Sequence, residues 1–404
     1  MQMNTMPAAE RTRIGFFGCR NAGKSSLVNA VTDQELSVVS PQRGTTTDPV
    51  LKTMELLPLG PVVIIDTPGY DDEGELGSLR VEKTRNILRS TDIAVLVVDS
   101  TEGFREADRE LLRLFEQKKT PFLVALNKCD LQAFSDRVPE NAVPVSAVTG
   151  NGVNQLKERI AALLSRPEAE KQLAADLVQA GDCVILVCPI DEAAPKGRLI
   201  LPQQQVIRDL MEKGALPLVV RETELAQAMD CLRNAPTLVI TDSQVFRVVA
   251  DILSEEVPLT SFSILLARYK GFLQTAVRGV AAIRHLPDGA RILMAEGCTH
   301  HRQCSDIGTV KIPRGLSRYT GREFDYETCS GMDFPADLSS YDLVIHCGGC
   351  MTPEKEVLAR MEMASGQKVP FTNYGITLAE ISGTLERSLR LFPEIHAMLK
   401  GGGT

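Results

Sequence analysis

The sequence predicts an α/β chain built on mostly parallel sheets, on three observations. Short apolar runs alternate with helical patterns along most of the chain, which is how strand–helix–strand units read. The first run, Arg13–Phe17, leads directly into GCRNAGKSS and then the helical LVNAV. In the last third, two further runs end in cysteine and histidine: RILMAEG is followed by CTHHRQC, and YDLVI by HCGGC. A chain of 404 residues has room for two to four domains. Three are expected: 1–168, 169–262 and 263–404.

Composition narrows the class. With 44% hydrophobic and 24% charged residues the chain reads as a soluble globular protein. No apolar stretch approaches the ~18 to 20 residues of a membrane span. The opening MQMNTMPAAERTR has no apolar signal core, so no export and a cytoplasmic location are expected. A net charge of -8 argues against a broad nucleic-acid surface. The 10 Cys are expected as thiols or metal ligands rather than a disulfide framework. No internal repeat or low-complexity tract is evident, and the GGGT end is expected to fray.

The first domain carries five nucleotide-binding signals in order. Gly18–Ser26 is a G-x-x-x-x-G-K-S loop between a strand and a helix. Its backbone from Gly18 through Asn21 and Gly23 to Ser26 is expected to cradle phosphates at a helix N-terminus. Lys24 reaches the β- and γ-phosphates, and Ser25 meets Mg²⁺. Gly44–Asp48 (GTTTD) offers Thr46 as a second hydroxyl for Mg²⁺. Val62–Gly69 ends in D-T-P-G, where Asp66 holds Mg²⁺ through water and the Gly69 N–H meets the γ-phosphate. Phe122–Asp130 ends in N-K-C-D. There Asp130 can accept two hydrogen bonds from guanine, which adenine cannot supply, with Asn127 and Lys128 shaping the loop. Val143–Gly152 brings Ser146 and Ala147 to the guanine oxygen. Each motif alone is a common turn. Five at the ends of β-like runs make a guanine-nucleotide site on the carboxyl edge of an α/β sheet.

Residues 11–165 resemble the P-loop GTPases, within them the branch of MnmE and Era. Tyr70 stands where Ras-like enzymes carry a water-orienting glutamine, so slow intrinsic GTP hydrolysis is expected. Lys24, Thr46 and Gly69 are the expected catalytic contacts. Asn21 with Gly44-Thr45-Thr46 resembles potassium-activated members, which implies K⁺ stimulation.

The middle domain is predicted as a small parallel α/β sheet. A polar connector helix is expected over Ser165–Ala180. Strands are expected at Cys183–Ile190, in LPLVV and in TLVIT, with helices in PQQQVIRDLMEKG, ETELAQAMDCLRN and DSQVFRVVADIL. Cys183, Cys188 and Cys231 lie on apolar patterns and read as core residues. The loop Asp191–Arg198 carries no specific signal. With no nucleophile constellation in view, the domain is assigned to assembly, as a homodimer interface.

In the last domain, strands at Arg291–Gly297, Tyr341–Ile345 and within Lys368–Gly375 would bring Cys298, Cys347 and Cys350 to one edge if they are parallel neighbours. Gly348 and Gly349 let the chain turn between the two later thiols. The residues alone leave structural zinc, a [4Fe–4S] cluster and a redox dithiol open. The full arrangement resembles the HydF family, the maturation GTPases of [FeFe]-hydrogenase. It rests on the GTPase motifs, the central α/β region and a C-x-H followed, after a long spacer, by H-C-x-x-C. The resemblance implies that Cys298, Cys347 and Cys350 hold a [4Fe–4S] cluster with an exchangeable fourth position. His300 and His346 match the motif histidines, as a loose fourth ligand or as orienting groups. His301, Cys304 and Cys329 fall outside the motif. The implied cofactors are GTP/GDP, Mg²⁺, K⁺, the cluster and a two-iron subcluster precursor. The implied partners are radical-SAM maturases, apo-hydrogenase and a second copy of the chain. Two other readings compete: an RNA-modification or ribosome-assembly GTPase with structural zinc, and a metal-free oligomeric switch.

Overall fold

A computed structural model describes residues 10–32, 50–56, 60–70, 84–132, 134, 139–164, 171–190, 199–297, 307–331 and 333–401. The chain divides into two compact units, Met1–Glu168 and Ala169–Thr404.

The first unit is a six-stranded sheet in the order β2-β3-β1-β4-β5-β6. The strands are β1 (Thr12–Phe17), β2 (Val50–Leu56), β3 (Gly60–Asp66), β4 (Ile93–Asp99), β5 (Phe122–Asn127) and β6 (Ala142–Pro144). All pair in parallel except β2, which runs antiparallel on the edge. Burial explains the division. Every residue of β4 is buried, as a parallel strand covered on both faces requires. β2 keeps alternate residues exposed. Val62 and Ile64 join Leu27, Val28 and Val31 of helix α1 (Lys24–Thr32) on one face. Val63 and Ile65 join Leu111 and Phe115 of helix α2 (Glu106–Gln117) on the other. Helix α3 (Val153–Leu164) follows β6 and adds Leu156 and Ile160 to the first face.

The second unit holds two four-stranded parallel sheets. The first contains β7 (Cys183–Val187), β8 (Leu216–Val220), β9 (Leu238–Thr241) and β10 (Leu259–Ser261), ordered β10-β9-β7-β8. The second contains β11 (Arg291–Glu296), β12 (Asp325–Ser330), β13 (Leu343–His346) and β14 (Phe371–Asn373), ordered β12-β11-β13-β14. One apolar core, including Val184, Leu186, Ile292 and Leu343, runs through both.

Three sequence expectations change here. Residues 171–180 form no α-helix; only Ala175–Leu177 makes a 3₁₀ turn. The Asp209 carboxylate accepts the Ala174 and Ala175 N–H groups at 2.8 and 2.7 Å, an alternative to helical bonding for that backbone. Residues 165–170, the rest of the expected connector, lie outside the described residues, as do 191–198 and the GGGT end. Cys188 is buried, but Cys183 is half-buried and Cys231 exposed. Strand β12 escaped sequence reading because DYETCS is an edge strand with polar residues and no apolar run.

The structure also corrects the reading that the chain has no internal repeat, because the repeat is carried by strand order more than by residue identity. Both sheets place their first strand between the second and third, with the fourth beyond the third. Asp242 N–H bonds Val187 O in one sheet, and Cys347 N–H bonds Ala295 O at the same place in the other. The fourth strands and following helices align as VPLTSFSILLARYKGFL (Val257–Leu273) and VPFTNYGITLAEISGTL (Val369–Leu385). Gly271 and Gly383 both end their helix with φ near 76° and 72°. The next helices are exchanged. Helix α8 (Leu273–Val280) leaves the first repeat and packs on β14, where Gly279 lies against the Phe371 backbone. The short helix Leu385–Leu389 leaves the second repeat and packs on β10.

Candidate functional site

The nucleotide motifs converge on the carboxyl edge of the first sheet. The loop after β1 needs left-handed backbone at Asn21 (φ 64°) and Gly23 (φ 89°). A Cβ on Gly23 would lie 2.3 Å from Asn127 Nδ2, so glycine is required by its neighbour as well as its φ. Asn127 Nδ2 donates to Ala22 O at 2.9 Å, and its Oδ1 accepts the Ala147 N–H at 3.1 Å. This one buried amide ties the phosphate loop, the N-K-C-D loop and the Ser146–Ala147 loop together. Ser146 is fully buried, and its Oγ accepts the Thr149 N–H. Asp130 is exposed at the rim.

Lys24 Nζ donates to Gly18 O at 2.9 Å and Cys19 O at 2.8 Å. The ammonium is thus folded onto its own loop, within reach of an incoming phosphate. Ser25 Oγ donates to Asp66 Oδ2 at 2.7 Å. Those two oxygens suit a shared Mg²⁺. Ser26 lies in the first turn of α1 beside them. The D-T-P-G turn is held against the same loop. Tyr70 N–H bonds Gly18 O, and a Cβ on Gly69 would meet Arg20 Cα at 3.0 Å. Thr46 and its GTTTD loop lie outside the described residues.

Asp99, at the end of β4, was not singled out in the sequence. Its Oδ2 accepts Lys128 Nζ at 2.5 Å and its Oδ1 accepts Thr101. Burial pushes this carboxyl up, but the bonds from Lys128 and Thr101 outweigh it and hold it below the usual carboxylate range. Lys128 keeps φ 63° in this arrangement.

The second cluster stands at the carboxyl edge of the β12-β11-β13-β14 sheet. Cys347 and Cys350 leave β13 in a turn that needs Gly349 at φ 67°. Cys347 Sγ accepts N–H groups from Gly297 at 3.1 Å and Gly349 at 3.4 Å. Burial pushes both thiols up. The N–H bonds at Cys347, and the Lys270 charge at Cys350, work the other way. Such thiols ionise when a metal arrives, because binding expels their protons. Cys298, bonded to Gly297, lies outside the described residues, as do His300, His301 and Cys304. Among the described residues no group of three or more His, Cys, Asp or Glu could hold a metal ion.

His346 is fully buried, with both ring nitrogens engaged. Nε2 faces Arg360 Nη1 at 3.1 Å and Nδ1 faces Cys347 O at 2.8 Å. Arginine only donates, so Nε2 accepts and Nδ1 carries the proton. Burial, then the Arg360 charge, pull this imidazole down to about 3 and keep it neutral. In this arrangement His346 orients the loop backbone and directs no lone pair at the thiols. Arg360, 2% exposed, also bonds Glu356 Oε1 at 2.9 Å and Gly331 O at 2.5 Å, and stacks over Phe334. Cys329 lies on β12 opposite Ala295, near enough to Cys347 to sense its charge. Burial pushes its thiol up to about 11. Neither Arg360 nor Lys270 carried a sequence signal, because their partners are remote in sequence.

Known proteins resemble each part of the chain. Residues 13–128 match a family described as 50S ribosome-binding GTPase. Residues 173–271 match the hydrogen maturase F dimerization domain, and 274–391 the hydrogen maturase F tetramerization domain. The chain belongs to the HydF family. Its GTPase unit implies GTP/GDP and Mg²⁺ as ligands, and the HydF-family domains of the second unit support self-association. Curated relatives that are GTPases match just over a third of the chain. The tRNA modification GTPase MnmE of Roseiflexus sp. (strain RS-1) is 34% identical over 168 residues, 38% of this chain and 36% of that protein. GTPase Der of Wolinella succinogenes is 33% identical over 169 residues, again 38% and 36%. The HydF-family chain thus spans about a third of the length of these relatives. Among solved structures, an Aquifex aeolicus Era variant bound to GDP.AlF4- matches at 20% identity and TM-score 0.35, over 52% of this chain and 93% of that one. The G domain of the T. maritima FeoB iron transporter matches at 27% and 0.31, over 39% and 100%. No helix among the described residues is long and apolar enough to cross a membrane.

Proposed function

We propose that this HydF-family GTPase is a scaffold and carrier for [FeFe]-hydrogenase maturation. The observation that carries the reading is the half-buried Cys347–Cys350 turn. It stands on a parallel-sheet edge, with Cys347 hydrogen-bonded to Gly297, the residue before Cys298. These three cysteines would hold a [4Fe–4S] cluster. Bound there, such a cluster supplies a fourth iron corner open to a second metal unit. The chain's own residues do the rest. Gly297 and Gly349 N–H groups stabilise sulfur charge, and His346 and Arg360 hold the loop. The cargo is the two-iron subcluster precursor, received from radical-SAM maturases and delivered to apo-hydrogenase. His300 is the remaining candidate near the fourth position.

In the GTPase domain (1–168), Lys24 and Gly69 contact the γ-phosphate, and Ser25, Thr46 and Asp66 hold Mg²⁺. Gly18, Asn21, Gly23 and Ser26 cradle the phosphates. Asn127, Lys128, Asp130, Ser146 and Ala147 read guanine. Buried Tyr70 in place of a water-orienting glutamine supports slow hydrolysis, and Asn21 supports potassium stimulation. Equal GTP turnover in Na⁺ and K⁺ would remove the potassium element. Region 169–262 serves dimerisation and 263–404 serves the cluster. Nucleotide state gates partner exchange.

The deciding experiment is anaerobic iron reconstitution of wild type and Cys298→Ala. About four irons per chain, an absorption near ~400 nm and a reduced cubane EPR signal, all lost in the variant, are expected of a cysteine-ligated cluster. A colourless protein holding one zinc would overturn the scaffold reading and point to RNA or ribosomal partners.

A further inference from the structure

We infer that Lys270 is a positioning residue for the cysteine loop, a buried ammonium that clamps the C-G-G-C turn and compensates negative charge on its sulfurs. The inference rests on the iron–sulfur reading above for its charge element, and on geometry for its clamp.

Lys270 follows helix α7 (Phe262–Tyr269), the last helix before Gly271 in the first repeat. It is 5% exposed. Its Nζ donates to Gly349 O at 2.5 Å and to Thr352 O at 2.6 Å. Both acceptors belong to the loop after β13, so a side chain of one repeat pins the cysteine turn of the other.

The repeat supplies an internal control. Ser382 occupies the position of Lys270 in the second repeat, one residue before Gly383. A crossing contact exists there too: Arg247 Nη1, from the segment after β9, donates to Ser382 O at 3.2 Å. In that copy the charge sits on an exposed side chain, and a backbone carbonyl receives it. The exchanged architecture therefore does not itself call for a buried ammonium. The copies also differ in the loop. Residues 242–245 separate β9 from its helix (Phe246–Ile252), whereas 347–353 separate β13 from its helix (Glu354–Gly366). The longer segment contains both cysteines, and Lys270 holds it.

Charge explains why lysine serves. An ammonium out of water is costly unless its surroundings supply compensating negative charge. Two carbonyl dipoles supply part. On the iron–sulfur reading, the negative charge of the sulfurs that hold the cluster would supply more. A nearby fixed cation also stabilises the reduced state of a bound cluster over the oxidised one.

The test uses the full chain as wild type, Lys270→Met, Lys270→Arg and the image control Arg247→Met. Backbone amide exchange is first read at Gly349–Thr352 in the cluster-free protein. Lys270→Met is expected to speed exchange there and Arg247→Met to leave it unchanged. The chains are then reconstituted anaerobically, and iron release to a ferrous chelator and the midpoint potential are measured. Lys270→Met is expected to release iron roughly tenfold to 100-fold faster, the usual effect of losing a group that supports a ligand. Its midpoint should fall, by about 59 mV for each tenfold change in the one-electron equilibrium. Lys270→Arg should recover most of the potential. Unchanged exchange in Lys270→Met overturns the clamp. Equal release and potential in a loaded variant overturn the charge role. If wild type loads no cluster, the proposed function fails, and amide exchange still decides the clamp. Should Lys270→Met not fold, Lys270→Gln is measured in the same way.

Discussion

Replacing Arg360 by methionine should destabilise the second unit more than any surface change in it. The guanidinium is 2% exposed and carries three hydrogen bonds, to Glu356 Oε1, Gly331 O and His346 Nε2. Glu356 is also buried, with a side chain 10% exposed. Methionine keeps most of the volume and removes the charge. Removing one partner of a buried ion pair costs about 3–5 kcal/mol, because the other charge stays behind. Orphaning Gly331 O and His346 Nε2 adds to this. In a unit of this size ~2–4 °C of Tm is lost per kcal/mol, so a fall of about 6–20 °C is expected. The chain has no Trp, so unfolding is best followed by far-UV circular dichroism in urea and by heating. The companion variant Glu356→Met/Arg360→Met is the discriminating one. Removing both charges leaves no unpaired charge at this place, so the share of the loss due to the stranded Glu356 carboxylate should return, while the cost of the orphaned Gly331 O and His346 Nε2 remains. A single variant within ~1 kcal/mol of wild type, or a double variant as weak as the single, would refute the reasoning.

Other outcomes follow from the same geometry. Gly279→Ala puts a Cβ 2.0 Å from Phe371 O and 2.6 Å from its carbon, so backbone must move. A loss of about 1–3 kcal/mol in urea unfolding is expected, and an unchanged value would mean that α8 does not seat on β14 in solution. Asn127→Ala breaks the bonds to Ala22 O and Ala147 N. Each orphaned buried group costs roughly 1–3 kcal/mol, so titration calorimetry should show GDP binding weakened at least tenfold. Asp99 is held below its ordinary 3.8 in the folded chain, so its contribution to stability is present above that value and is lost as pH falls through the lower folded one. In Lys128→Met burial is opposed only by Thr101, and the acid limb of the stability–pH curve should move to higher pH. Coincident acid limbs would show that the Asp99–Lys128 bond does not form in solution.

How far the sequence could be read depended on the distance over which each feature acts. The phosphate loop, D-T-P-G and N-K-C-D were legible because each works through its own backbone over a few residues. The apolar runs Arg291–Gly297, Tyr341–Ile345 and the one within Lys368–Gly375 located three strands, but their parallel pairing and their ends at Glu296, His346 and Asn373 came from the structure. Strand β12 was missed because an edge strand needs no apolar run. Cys231 was read as core from an apolar pattern, although its helix leaves it exposed. His346 carried a histidine's usual ambiguity in the sequence. Its tautomer and its neutrality come from Arg360, fourteen residues away on a helix, and from burial.

By itself the sequence determined the fold class, the nucleotide chemistry and the candidate thiols, since these rest on local patterns of backbone and side chain. Tertiary structure decided what those patterns face. It set Asn127 under the phosphate loop, Arg360 behind His346 and Lys270 across from the cysteine turn. It also revealed two repeats that exchange a helix, a relation carried by strand order more than by residue identity. The physical reason is that a buried charge or amide is satisfied by whichever group packing brings near. Packing is a property of the closed chain, not of neighbours along it.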